Sequence, residues 1–257
     1  MSIKNSNDEP AKDVLIGRNC VQEAIRSGRP VDKVLVAAGE RSGSIAVIIK
    51  RCRELKIPVK EVSPVKLDEI SCHGVHQGIV AFVAAKEYCS VDDIIRCAAE
   101  RNEPPFIVIC DELNDPHNLG AVIRTAEAVG AHGVIIPSRR SASLSMTVAK
   151  SSAGALEHMN VARVGNIAAT IDQLKKNGLW IYAADMDGEC WCESDLTGAV
   201  GLVIGSEGSG VGRLIREKCD VILSLPMYGR INSLNASVAG GILMYEIARQ
   251  RKGIKAR

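Results

Sequence analysis

The sequence predicts an α/β protein with a C-terminal parallel-sheet domain preceded by a small α/β domain. Three observations support this fold class. Apolar runs of about four to eight residues, typical of buried strands, alternate with amphipathic helical segments along most of the chain. A proline pair, Pro104–Pro105, interrupts the alternation. Beyond it, the strands are apolar on both faces and alternate with one-sided helices, as in a parallel sheet covered by helices. The predicted division is a domain over 1–86, a linker over 87–104 and a domain over 105–257.

The elements of the first part follow from local patterns. Apolar runs predict strands, and amphipathic segments ending at glycine or preceded by a capping residue predict helices. The predicted helices are 18–28, 42–55 and 64–71, and the predicted strands are 31–38, 57–62 and 78–85. The linker is predicted to hold a short helix that the two prolines close.

The second part repeats the strand–helix order. The predicted strands are 106–113, 132–137, 159–164, 179–185, 199–205 and 220–227. The predicted helices are 118–131, 143–156, 166–178, 211–219 and 233–251. No internal repeat is visible in the sequence.

Composition excludes some classes and leaves others open. The net charge of +2 neither requires nor excludes a nucleic-acid partner. An odd number of cysteines, nine, and a polar N-terminus predict reduced thiols in the cytoplasm rather than a secreted disulfide scaffold. The pairs His73/His76 and Cys190/Cys192 lack a second pair at metal-ligand spacing, so we expect no metal. No apolar run is long enough to predict a membrane span.

A glycine-rich stretch near the C-terminus, "LVIGSEGSGVG" over 202–212, predicts a ligand-binding loop after a strand. It comes too late in the chain for a dinucleotide fingerprint and lacks the Gly-Lys-Ser/Thr of a P-loop. Two more polar, glycine-bearing stretches follow other strands, "CDELNDPHNLG" at 110–120 and "LPMYGRINSLN" at 225–235. Because ligands of parallel sheets bind beyond the carboxyl ends of the strands, we expect the three stretches to form one site.

The three stretches resemble, in order and spacing, the three motifs of the TrmH family of SPOUT-class methyltransferases. The matching segments are "NDPHNLGAVIRTAEAVG", "LVIGSEGSGV" and "LPMYGRINSLNASVAGGIL". The segments from "LIGRNCVQEAI" to "HQGIVAFVA" are similar to the family's N-terminal RNA-binding domain. The resemblance implies a trefoil knot, S-adenosylmethionine as cofactor, a homodimer and an RNA substrate rather than DNA. Within the family, the sequence most resembles the bacterial 23S rRNA (guanosine-2'-O-)-methyltransferases.

The resemblance also assigns roles to individual residues. It implies catalytic roles for five residues: Asn118, Arg124, Glu207, Ser233 and Asn235. It implies cofactor contacts for four: Gly205, Leu225, Met227 and Leu234. Tyr228, Arg230 and Asn232 either contact RNA or only shape their loop.

The same residues also have plainer interpretations. Asn118 and Ser233 precede helical patterns, so each is expected to be an N-cap. Arg124 falls opposite the apolar stripe of its helix and is expected to point outward. Gly240 and Gly241 lie within the last predicted helix, which indicates close packing against another backbone.

The sequence therefore predicts an S-adenosylmethionine-dependent RNA ribose 2'-O-methyltransferase acting on 23S rRNA. Three alternatives stay open at this stage. The same chemistry can act on tRNA, the fold can serve a non-catalytic RNA-binding protein in ribosome assembly, or the glycine loop can belong to a nucleotide-dependent oxidoreductase.

Overall fold

The computed structural model describes residues 13–39, 43–230 and 233–254. The described residues form two compact units, the first up to Glu87 together with Leu144–Met146 and the second from Tyr88 onward without those three residues. The predicted division differs in the segment 87–104. Helix α4 (Val91–Glu100) buries Ile94 and Ala98, and Ile94 packs directly over Gly133 of the large sheet. The predicted linker helix is therefore part of the second unit's core.

The first unit is a four-stranded mixed sheet with three helices. Its sheet order is β1-β4-β2-β3, in which only the β2–β3 pair is parallel. Its elements are β1 (Val14–Ile16), α1 (Arg18–Arg26), β2 (Val31–Ala37), α2 (Gly43–Glu54), β3 (Val59–Val62), α3 (Pro64–Ile70) and β4 (Ile79–Val83). The sequence did not predict β1, because a three-residue edge strand is too short for an apolar period.

The second unit is a six-stranded sheet in which all strand pairs are parallel, in the order β10-β8-β9-β5-β6-β7. Its strands are β5 (Phe106–Cys110), β6 (Gly133–Pro137), β7 (Val161–Val164), β8 (Trp180–Cys190), β9 (Val200–Ile204) and β10 (Val221–Ser224). The helices that follow α4 are α5 (Pro116–Ala128), α6 (Met146–Ser151), α7 (Ala155–His158), α8 (Ile167–Lys176), α9 (Arg213–Lys218) and α10 (Ala236–Arg251). The predicted α/β fold with its parallel sheet is confirmed; the trefoil knot stays a prediction.

The core explains why β5 and β9 lie at the centre. Both strands are buried along their whole length, as expected of strands covered by helices on both faces. Helices α4, α8 and α9 contribute Ile94, Ile171 and Ile215 to one cluster beneath the sheet. Helix α5 packs against α10 and β6.

Two helical predictions differ from the structure in detail. The single helix predicted at 143–156 is two short helices, because Ala153 and Gly154 adopt positive φ angles of 49° and 91°. In α10, a Cβ on Gly240 would lie 2.4 Å from the Ile204 Cδ1 atom, so the close approach is to a side chain rather than to a backbone. A Cβ on Gly241 would meet only Thr125 Cγ2, at 3.9 Å, so packing within the chain does not require glycine there.

Candidate cofactor pocket and catalytic cluster

A cavity of about 330 Å³ lies at the carboxyl ends of β9 and β10 and beside the middle of β8. Its walls come from four segments: the middle of β8, the glycine loop, the end of β10 and the start of α10. The lining residues are Ala184, Asp185, Met186, Ile204, Gly205, Ser206, Glu207, Gly208, Ser209, Gly210, Leu223, Leu225, Met227, Ser233, Leu234, Ala236, Ala239 and Leu243. The position is the one where parallel sheets bind ligands.

All four residues predicted to contact the cofactor line this cavity: Gly205, Leu225, Met227 and Leu234. Apolar walls with polar groups at the edge suit an adenine ring with a charged tail. Sequence reasoning missed a fourth wall, formed by Ala184, Asp185 and Met186. A signal was available, because the predicted strand 179–185 ends on a polar residue, Asp185, as post-strand ligand sites often do.

The glycine loop is tightly folded on itself. Ser206 and Gly210 exchange two backbone hydrogen bonds of 3.0 Å, which brings the start and end of the loop together. A Cβ on Gly205 would lie 2.1 Å from the Gly210 carbonyl carbon, so no side chain fits there. Gly210 has a φ of 63°, a conformation that glycine adopts without strain. These two glycines give the loop its shape, and a ligand can therefore approach the main chain closely.

A carboxylate from the neighbouring strand holds the end of this loop. Asp111, directly after β5, accepts a hydrogen bond of 2.8 Å from the Gly212 backbone N–H. Burial raises the pKa of the Asp111 carboxyl above its ordinary value. This hydrogen bond joins the predicted stretch 110–120 to the glycine-rich stretch 202–212.

Side chains from all three predicted stretches meet at the rim of the cavity. Asn118 donates through Nδ2 to Glu207 Oε1 at 2.6 Å, and Asn235 donates through Nδ2 to Asn118 Oδ1 at 3.1 Å. Asn235 Nδ2 also contacts Glu207 Oε1. One oxygen of Glu207 is therefore held by two amides, while Oε2 has no hydrogen-bond partner among the residues that the structure describes. The predicted convergence of the three stretches is confirmed.

The helix caps differ from the prediction. Asp115, not Asn118, caps α5, accepting from the His117 N–H at 2.9 Å. Asn118 lies in the first turn instead and is 6% exposed. Asn235, not Ser233, caps α10, accepting from the N–H groups of Ser237 and Val238. Ser233 lines the cavity and is exposed.

Arg124 is not brought into this cluster within one chain. It is exposed on α5, does not line the cavity, and has no ion-pair partner within the described part of the chain. Its neighbour Thr125 faces Gly241 of α10. Beside that contact, α10 carries an exposed apolar stripe formed by Val238, Ile242 and Tyr245, which are 50%, 38% and 59% exposed.

The loop between β10 and α10 is only partly described. Tyr228 is 94% exposed and Arg230 is exposed, whereas Asn232 lies outside the described residues. Among the described residues, no group of three or more His, Cys, Asp or Glu side chains has the arrangement of a metal site. No described helix is long and apolar enough to span a membrane.

These features define an α/β protein with a backbone-lined pocket and a polar cluster at the carboxyl edge of its sheet. The sequence model of the SpoU rRNA Methylase family matches residues 105–245. A second model, RNA 2'-O ribose methyltransferase substrate binding, matches residues 14–89. The chain therefore belongs to the SpoU/TrmH family of RNA methyltransferases, and the predicted SPOUT/TrmH membership is confirmed.

Similar proteins extend over nearly the whole chain. A protein of Bacillus subtilis (strain 168), provisionally named TrmH family tRNA/rRNA methyltransferase YacO, is 47% identical over 243 residues. The match covers 94% of this chain and 97% of that protein. A protein of Staphylococcus aureus (strain MSSA476) with the same family name is 44% identical over 244 residues, again with 94% and 97% covered.

Solved structures with a similar fold belong to the same family. The SpoU methyltransferase AviRb of Streptomyces viridochromogenes, in complex with the cofactor S-adenosylmethionine, has a TM-score of 0.59 and 28% identity, covering 93% of this chain and 90% of that one. The TrmH/SpoU tRNA modifying enzyme of A. aeolicus has a TM-score of 0.53 and 30% identity, covering 63% and 84%. The cofactor of this family is S-adenosylmethionine, and the apolar, glycine-lined cavity fits it.

Proposed function

We propose that this RNA methyltransferase methylates a ribose 2'-hydroxyl, and that its substrate is a guanosine of 23S rRNA. The observation that carries the ribose 2'-hydroxyl assignment is the Asn118–Glu207–Asn235 cluster at the mouth of the cofactor cavity, whereas the choice of a 23S rRNA guanosine rests on the resemblance of the sequence motifs. A hydroxyl needs an acceptor that orients it and takes its proton. The free Oε2 of Glu207 supplies one at the rim of the cavity.

The chain's residues divide the work of the transfer. The cofactor supplies an already activated sulfonium methyl group, so positioning provides much of the catalysis. Asn118 and Asn235 fix Glu207 through Oε1, and Oε2 accepts the hydrogen bond and then the proton of the 2'-hydroxyl. Ser233 faces the same cavity and is proposed to contact the ribose. Gly205, Leu225, Met227 and Leu234 hold the adenosine part of the cofactor.

Arg124 is proposed to act from a second copy of the chain. It lies on α5 next to Thr125, which contacts Gly241 of α10, and α10 carries the exposed apolar stripe Val238–Ile242–Tyr245, whose exposure on a helix is typical of an interface. If two copies pair through this stripe, Arg124 of one copy is placed at the interface instead of in solvent. A guanidinium stays charged, so its role is to hold a phosphate and to favour negative charge developing on the 2'-oxygen.

Mixing two inactive variants tests this arrangement. We expect Arg124→Ala and Glu207→Gln to lose methylation separately. Mixed and allowed to re-pair, they should regain roughly a quarter of wild-type activity, since half of a random mixture is heterodimer and each heterodimer holds one intact site. No recovery, in a mixture shown by mass spectrometry to contain heterodimers, would contradict the proposal that Arg124 acts across the interface.

RNA selection is assigned to the first unit, which matches the substrate-binding model. On the second unit, six exposed cations have no acidic partner within 4 Å among the described residues: Arg101, Arg124, Arg139, Lys150, Lys176 and Arg230. Such side chains are free to bind RNA phosphates. Aromatic residues make up only 3% of the chain, so phosphate and 2'-hydroxyl contacts suit it better than base stacking.

The deciding experiment uses labelled-methyl S-adenosylmethionine and unmodified 23S rRNA, 16S rRNA and tRNA, followed by alkaline hydrolysis. A 2'-O-methyl group blocks cleavage of the adjacent bond, so label in alkali-resistant dinucleotides from 23S rRNA is the expected result. Label in mononucleotides would mean base methylation and would overturn the ribose assignment. Label in tRNA alone would favour the alternative substrate, with which the tRNA/rRNA names of the relatives also agree. Glu207→Gln protein is the control, and Gly165→Ala, which lies outside the cavity and whose Cβ would meet nothing within 4 Å, is the matched neutral variant.

A further inference from the structure

Two thiols near the cofactor cavity are close enough to form a disulfide bond when they are oxidised. The Sγ atoms of Cys190 and Cys192 are 3.3 Å apart, with Cys192 exposed and Cys190 half-buried. Both are free thiols, and only Trp191 separates them in the chain. The proposed methyl transfer uses neither of them.

The pair lies on the strand contact that closes one wall of the cavity. Strand β8 pairs with β10 through Ala183 and Ile222, and pairing resumes only at Glu189 with Leu223. The intervening residues 184–188 bulge out, and the first three of them line the cavity.

The second half of this contact holds the bulge in place. Cys190 pairs with Ser224, and the Trp191 N–H donates to the Ser224 carbonyl at 3.1 Å. The Ser224 hydroxyl donates to the Gly188 carbonyl at 3.0 Å. Leu225, the next residue after Ser224, lines the cavity. A change at Cys190 therefore reaches the cavity wall through Ser224 on β10 and through residues 187–189 on β8.

We infer that Cys190 and Cys192 form a redox-responsive thiol pair, which a low-molecular-weight disulfide converts into an intramolecular disulfide that weakens cofactor binding. The inference deepens the regulation of the site described above and rests on the proposed function only in taking S-adenosylmethionine as the ligand of the cavity.

The exchange balances as two successive thiol–disulfide steps. The Cys192 thiolate attacks a sulfur of the reagent, forming a mixed disulfide and releasing one reagent thiol. Cys190 then attacks the Cys192 sulfur, closing the protein disulfide and releasing the second reagent thiol. Two protein thiols are oxidised and the reagent disulfide is reduced. The hydrogen bond to Cys190 raises the pKa of the Cys192 thiol, so Cys192 rests as a thiol at neutral pH and loses its proton to solvent before it attacks the reagent.

Ring closure must move the main chain around Trp191. The two sulfurs have to approach from 3.3 Å to the roughly 2.05 Å of a disulfide bond. A ring with one intervening residue is strained, and strained disulfides are easily reduced, which makes the change reversible. Because Cys190 and Trp191 hold Ser224, closure shifts the end of β10 and the bulge. We expect the cofactor Kd to rise about tenfold.

The test uses the full-length protein, oxidised glutathione as the reagent and S-adenosylmethionine titrated by calorimetry. Differential alkylation and peptide mass spectrometry then locate the disulfide. The expected result is a 190–192 peptide lighter by two hydrogen atoms, a Kd about tenfold higher, and recovery of both with dithiothreitol. Cys192→Ser should not respond, whereas Cys20→Ser, which removes an exposed cysteine of the first unit, should respond like the wild type.

Three results would overturn the inference: no Cys190–Cys192 disulfide under excess reagent, a disulfide with unchanged Kd, or the same loss of affinity in Cys192→Ser. Cys190→Ser separates ring closure from simple glutathione addition, because it allows only the mixed disulfide at Cys192. None of these readouts needs RNA. If RNA methylation fails while the titrations behave as expected, the proposed function fails and this inference stands.

Discussion

Helices α5 and α10 both begin at the catalytic cluster, yet their asparagines divide the work differently. In α5, Asp115 caps the helix and Asn118 is left to bind Glu207. In α10, Asn235 does both: its Oδ1 caps the helix while its Nδ2 points to Asn118 and Glu207. An asparagine can do this because its amide presents an acceptor and donors on opposite sides. The start of α5 therefore separates stability from function, and the start of α10 combines them.

Among substitutions at the two helix starts, the largest effect should come from Asn118→Ala. It removes a donor to Glu207 at the reacting edge, and losing one positioned donor of this kind costs about a hundredfold in kcat. Helix α5 keeps its cap, so its N-terminus should be undisturbed. Asp115→Ala is the matched control, with a loss of about 1 kcal/mol in stability but activity within a few-fold of wild type. Methylation rates and thermal unfolding of both variants decide the point, and equal losses of activity would show that α5 does not separate the two roles.

The next effect concerns how α10 packs on the sheet. In Gly240→Ala, the new Cβ would lie 2.4 Å from Ile204 Cδ1, so the helix or Ile204 must move. Overpacking of this kind costs about 1–3 kcal/mol, and Ile204 also lines the cavity, so cofactor affinity should fall with stability.

Gly241→Ala is the neighbouring control, because its Cβ meets only an ordinary contact at 3.9 Å. In a monomer it should gain up to about 1 kcal/mol from helix propensity. Chemical unfolding followed by the helical signal measures both variants. A stable Gly240→Ala protein with unchanged cofactor affinity would show that α10 tolerates a shift that the described packing does not allow.

A smaller effect separates the two functions of Asn235. Asn235→Ala removes the cap of α10 and should lose about 1 kcal/mol of stability together with activity. Asn235→Asp keeps an oxygen that can cap the helix, but it replaces the donor to Glu207 with a second carboxylate. Its helix should therefore stay capped, while activity falls as in the alanine variant.

The double variant Asn235→Asp/Glu207→Gln sharpens this test, since Gln can donate to the new carboxylate. Measured by unfolding, the coupling in the double-mutant cycle should be favourable. Additive losses would mean that Asn235 and Glu207 do not interact as the structure describes.

Much of this site could be predicted from the sequence, because local hydrophobic patterns predict the order of strands and helices. Parallel strands with one-sided helices place every post-strand loop at one edge, so the meeting of residues 118, 207 and 235 was predictable. The caps were not. Asp115 and Asn118 are both good cap residues in one short stretch, and the choice depends on Glu207, which is 89 residues away.

The missed features have the same origin. The cavity wall at 184–186 forms because β8 and β10 change register, which depends on Gly188 fitting where a Cβ would lie 2.4 Å from the Ile222 carbonyl oxygen. Neither strand shows this in its own sequence. Arg124 was correctly predicted to point outward, but within one chain it is not part of the cluster, and the second copy proposed to bring it there is not visible in the sequence. Local periodicity predicts elements and edges, while long-range contacts decide which residue does which task.

The smallest effect concerns a third helix start at the same edge. Helix α9 has no side-chain cap of its own, and the N–H of its N-cap residue, Gly212, donates instead to Asp111 of the neighbouring strand end. Burial raises the pKa of Asp111 above its ordinary 3.8, so folding favours the protonated form. The contribution of this group to stability is therefore full below pH 3.8 and is lost as the pH rises through the higher folded pKa.

Asp111→Asn keeps the acceptor without the charge and should flatten this dependence, gaining up to about 1 kcal/mol over the wild type at pH 8. Asp111→Ala should instead lose stability at every pH, because Gly212 loses its acceptor. Thermal unfolding of the three proteins from pH 4 to pH 8 measures the difference. Parallel curves for Asp111 and its Asn variant would show that the carboxyl is ionised in the folded protein at no cost in stability.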